Sequence, residues 1–108
     1  MGRQDRRLDR RLEVEFPVLV VGTGGHRVSR AHNLSSGGVM LEREVDSLER
    51  GSDFDLDLWL PGAPSAVGCA GTVVYAHGPL AGVKFTNVPQ VGQLVIDAFL
   101  ASRLGEAS

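Results

Sequence analysis

The sequence is short of cysteine, of aromatic residues and of long apolar runs. Cys69 is the only cysteine in 108 residues, so neither an intrachain disulfide nor a CxxC-type zinc site can form. That usage fits a reduced compartment, and a cytoplasmic setting is expected. No apolar stretch reaches the length of a membrane span, and the arginine-rich N-terminus has no signal-peptide core, so no membrane association through a span is expected. Only six residues are aromatic, and they form no legible base-stacking platform, which argues against nucleic acid as a partner.

Signatures of catalysis are missing too. No GxSxG elbow occurs, and His26, His32 and His77 have no nucleophile at a readable spacing. Gly22–Gly25 reads GTGG, but neither GK[ST] nor a helix pattern follows, so it is a hairpin turn rather than a phosphate loop. Asp53, Asp55 and Asp57 resemble the start of a calcium loop, yet Leu58 and Pro64 stand where glycine and glutamate are required. Neither an enzyme nor a resident cofactor or metal is expected.

Charge is present but unevenly spread. Arg3, Arg6, Arg7, Arg10 and Arg11 face only Asp5 and Asp9 in the first eleven residues, a segment of +3; with a net charge of −2, the remainder carries −5. A cationic arm on an acidic body points to an anionic partner, or to docking of the arm on the body. The expected organisation is a flexible arm over residues 1–11 and one folded domain over 12–104.

That domain reads as all-β with one terminal helix. Leu12, Val14, Phe16, Val18 and Val20 alternate with Glu13, Glu15 and Pro17, the period of a half-buried strand. Pro17 cannot donate to a ladder, so an edge or bulge is expected there. Further strands are expected over 27–33, 39–43, 54–60, 67–76 and 80–85, with a polar loop over 45–53. On the fourth strand Phe54, Leu56, Leu58 and Leu60 face inward, while Asp55, Asp57 and Trp59 face out. Pro89 suits a helix start, and Val91, Leu94, Val95, Ala98 and Phe99 fall at helical spacing on one face. Six short strands and a helix, without strand–helix–strand alternation, favour a small antiparallel barrel.

Two stretches offer recognition chemistry. RRLDRR, Arg6–Arg11, places guanidinium groups four apart, as Arg7 with Arg11 or Arg6 with Arg10. A guanidinium is planar and permanently charged; it can grip a phosphate, fork onto the O6/N7 edge of guanine, or stack on a ring. NLSSGG, Asn33–Gly38, supplies an amide, hydroxyls and two glycines that allow positive φ and close approach. A serine-glycine turn is the plain alternative.

In order and separation these stretches resemble the PilZ domain family. RRLDRR leading into LEVEFPVLV is similar to the RxxxR opening, NLSSGG to [D/N]xSxxG, and VVYAHGPLAGVKF to the last hairpin. The resemblance implies a six-stranded antiparallel β-barrel with a C-terminal α-helix and a ligand, cyclic di-GMP, with two phosphates and two guanines. It implies that Arg7 and Arg11 hold phosphates and guanine edges, that Asn33 and Ser35 bond a guanine, and that Gly38 lets the ligand come close. The spacing also fits Arg6 and Arg10; Arg11 is preferred because it directly precedes the strand pattern. Arg6, just before RxxxR, goes with binding of a stacked ligand dimer. The expected role is a receptor that relays to an unidentified downstream protein. The rival is a nucleotide-independent interaction module working through Trp59 and the acidic strand.

Overall fold

The computed structural model describes residues 10–22, 24–44 and 47–105. Arg6 and Arg7, and with them nearly all of the expected arm, lie outside the described residues. Among the described residues, six strands, β1 (Leu12–Gly22), β2 (Gly25–Ser35), β3 (Gly38–Glu42), β4 (Asp53–Leu58), β5 (Val67–His77) and β6 (Leu80–Asn87), precede one helix, α1 (Gln90–Leu104). The strands close into a barrel in the order β1-β2-β3-β6-β5-β4, every neighbouring pair antiparallel. The expected all-β barrel with a terminal helix is the observed fold.

Alternation in the sequence sets the barrel wall. Val18, Leu34, Leu41, Leu56 and Leu58 have no more than 2 % of their surface exposed, while their chain neighbours, Ser35 apart, face outward or stay half-covered. Burying each such side chain contributes about 1.5–3 kcal/mol. The bulge expected at Pro17 falls slightly earlier, between Glu13 and Phe16. Pro17 itself lies one residue beyond the β1–β4 ladder, which spans Val18–Val21, and its carbonyl accepts the Trp59 amide at 3.1 Å. The missing N–H therefore interrupts no ladder bond. The loop before β4 is less polar than its composition implies: Leu48 adopts φ 51° and joins the core.

The helix presents a different face from the expected one. Ile96 and Leu100 are its buried residues and meet the core with Val95 and Phe99 half-covered, whereas Val91 and Leu94 are 74 % and 63 % exposed. Gly92 explains the orientation: a Cβ there would stand 3.0 Å from Val67 Cγ1, so the helix approaches β5 closely along the side that carries Gly92 and Ile96. Pro89 caps the N-terminus and its carbonyl accepts the Gln93 amide at 2.9 Å; Gly105, at φ 75°, closes the C-terminus.

Candidate functional site

NLSSGG is both strand and turn. Asn33, Leu34 and Ser35 complete β2, Ser36 and Gly37 make the turn, and Gly38 opens β3 opposite Ser35. Leu34 anchors the segment in the core, so Asn33 and Ser35 belong to the opposite, outer face. Ser35 is nonetheless buried, and its hydroxyl donates to the Gly38 carbonyl at 3.4 Å. The glycines act through size rather than through left-handed backbone, since neither has a φ in that region. A Cβ on Gly38 would lie 2.5 Å from the Val83 carbonyl oxygen, so this position must be bare for β3 to pair with β6.

The helix holds the turn from the other side. Ser36 Oγ donates to Asp97 Oδ1 at 2.8 Å, and Gln93 Nε2 donates to the Ser36 carbonyl at 3.1 Å. Phe85 adds its amide to the Gly37 carbonyl at 2.8 Å. These supports were not legible in the sequence, because Gln93 and Asp97 lie 57 and 61 residues from Ser36. The turn is thus fixed before any ligand arrives, as a small polar floor should be.

Arg11 closes the arrangement. Leu12 pairs with Leu34, which brings the preceding residue to the hairpin, and Arg11 Nη1 donates to Asn33 Oδ1 at 3.1 Å. Arg11, Ser35 and Gly38 line a cleft of about 630 Å³ that continues over β3, β6 and β5 past Met40, Tyr75 and Lys84. Of the expected site residues, Arg11, Asn33, Ser35 and Gly38 are therefore brought together. The cleft holds cations, Arg11 and Lys84, and no carboxylate among its lining residues, which suits an anion.

Cys69 offers no reactive thiol. Burial, then the carboxylates of Asp57 and Asp55, push its pKa from 9.0 to about 12, so the thiolate is not formed near neutrality. His32 stands between carboxylates on the outer surface, with Nε2 2.7 Å from Glu42 and Nδ1 3.7 Å from Glu15. Among the described residues, no cluster of three or more His, Cys, Asp or Glu side chains could hold a metal ion.

The PilZ domain family model matches residues 5–102. The chain belongs to the PilZ domain family. Solved PilZ structures share its fold. The PilZ domain of YcgR from Escherichia coli, solved with c-di-GMP, is 17 % identical with a TM-score of 0.72, covering 94 % of each chain. The Bacillus subtilis inhibitor of motility, MotI/DgrA, has a TM-score of 0.79 at 15 % identity; 95 % of the present chain aligns to 53 % of that one, so this PilZ domain spans about half its length. The PilZ domain of CeSA from a cellulose-synthesizing bacterium matches at 15 % identity and a TM-score of 0.64, over 92 % of this chain and 99 % of its own. No curated protein matches the sequence significantly.

Proposed function

We propose that this PilZ domain is a non-catalytic receptor for cyclic di-GMP, bound between the RxxxR stretch and the Asn33–Gly38 hairpin. The observation that carries the reading is the 3.1 Å bond from Arg11, a permanent cation lining the cleft, to Asn33, an amide able to read a base edge. The PilZ domain of YcgR and the PlzA protein of Borreliella burgdorferi were both solved with this nucleotide, which supports the ligand class.

The chemistry fits a dianionic guanine ligand. Arg11 is exposed and commits one guanidinium nitrogen to Asn33 Oδ1, so its remaining N–H groups can turn toward a phosphate while the Asn33 amide nitrogen can donate to a base edge. Arg7, and Arg6 for a second stacked ligand, would grip from the preceding segment. Arm closure over the cleft would then alter the surface shown to a partner protein. Calorimetric titration with cyclic di-GMP at moderate salt is the test. Saturable binding is expected, and absence of heat at high micromolar ligand contradicts the reading.

That absence would favour the interaction-module alternative, for which Trp59, 52 % exposed at the end of β4, is the supporting observation.

A further inference from the structure

Tyr75 on β5 belongs to neither recognition stretch, yet it lies on the same cleft. Four strands connect it to the hairpin in one transverse row: Asn33 pairs with Met40, Met40 with Gly82, and Gly82 with Tyr75. Three strand spacings separate the ends of this row, about 14 Å along the curved sheet.

An irregularity aims Tyr75 into the cleft. Val73 pairs with the buried Val83, but Tyr75, not Val74, pairs with Gly82, so Val74 is an inserted residue. Without it, strict alternation would put Val74 opposite Gly82 and turn Tyr75 toward the core. With it, Val74 and Tyr75 are both outside, 50 % and 45 % exposed, an unfavourable arrangement for two apolar side chains unless something covers them. The ring lies beside a position that carries no side chain. A Cβ on Gly82 would be 3.2 Å from Tyr75 Cβ and 3.9 Å from Met40 Cε, so both side chains lean over the bare glycine. The His77 ring follows at 6.4 Å from the Tyr75 ring. Lys84, the only lysine, is two residues beyond Gly82 on the same outer face and lines the cleft as well.

We infer that Tyr75 is a stacking shelf for one base of the bound nucleotide, three strands across the sheet from Asn33 and on the cleft that Arg11 lines, with Lys84 beside it for a phosphate. This rests on the receptor reading above. The two ends divide the work: Arg11 and Asn33 read polar edges, whereas Tyr75 offers a flat apolar face to a ring.

The test titrates cyclic di-GMP into the wild type and into Y75F, Y75W and Y75L, with thermal unfolding as a fold control. Y75F and Y75W should stay within about threefold of wild-type affinity, and Y75L should lose about 5- to 150-fold. In the wild type, the ring protons of this single tyrosine should move upfield on binding and show cross-peaks to guanine H8, which a merely structural cover for Gly82 would not produce. This second readout decides the matter even if Y75L fails to fold. Wild-type binding with unmoved tyrosine resonances, or with Y75L affinity unchanged, overturns the shelf and leaves the receptor reading standing. No wild-type binding overturns both.

Discussion

Gln93 of the helix donates through one side-chain nitrogen to both the carbonyl and the hydroxyl of Ser36, each at 3.1 Å, and so ties α1 to the turn that ends β2. Helix and hairpin are otherwise remote in the chain, and the helix packs chiefly on β5 and β1 through apolar contacts. The amide thus makes the helix a brace for the polar floor of the cleft. Gln93→Ala should lower stability by about 1–2 kcal/mol, since both bonds are partly buried and neither Ser36 acceptor gains a new partner. Urea unfolding measures it, with an unchanged slope expected.

Adjacent glycines should respond in opposite ways. Gly38→Ala drives a Cβ to within 2.5 Å of the Val83 carbonyl, a backbone atom that cannot turn aside, and should cost about 1–3 kcal/mol. Gly37→Ala meets nothing within 4 Å and has no left-handed φ, so it should stay within about 0.5 kcal/mol of wild type. Melting temperatures of the two variants make the comparison.

Arg11→Ala should weaken cyclic di-GMP binding by about 10- to 150-fold, the effect of about 1.5–3 kcal/mol for a lost charged hydrogen bond. Arg11→Lys should recover only part, because an ammonium keeps the charge but not the fork. Calorimetry reads both. Equal losses in Arg11→Ala and Arg10→Ala would contradict the preference for Arg11 as the strand-root cation.

Cys69 should resist alkylation. With the thiol pushed up to about 12 by burial and by Asp57 and Asp55, iodoacetamide at pH 8 should react far more slowly with the native protein than with the urea-unfolded chain. Because the folded pKa is raised, the protonated thiol's contribution to stability is complete below pH 9.0 and falls away as pH rises toward 12. Mass spectrometry of timed samples gives the rates.

Much of this was legible in the residues. Leu12–Phe16 and Phe54–Leu58 alternate without interruption, and alternation fixes which side is buried. The helix was harder: with Val91, Leu94, Val95, Ile96, Ala98, Phe99 and Leu100 all apolar, two faces fit the spacing, and the close pass of Gly92 on Val67 decides between them. Arg11 and Asn33 could be proposed as neighbours from motif chemistry, but their contact depends on the Leu12–Leu34 register. The Ser36 brace and Tyr75 were beyond reach. One joins residues 61 apart, and the other depends on an inserted residue in VVYAH that no local pattern marks.

We propose that the ligand binds where Arg11 meets the Asn33–Gly38 hairpin. Titrating cyclic di-GMP into nitrogen-15-labelled protein and following the amide resonances tests this most directly. The amides of Arg11, Asn33, Ser35 and Gly38 should move together on one isotherm. Movement confined instead to the separate hollow of about 460 Å³ lined by Val20, His26 and Phe54, with the hairpin amides still, would contradict it.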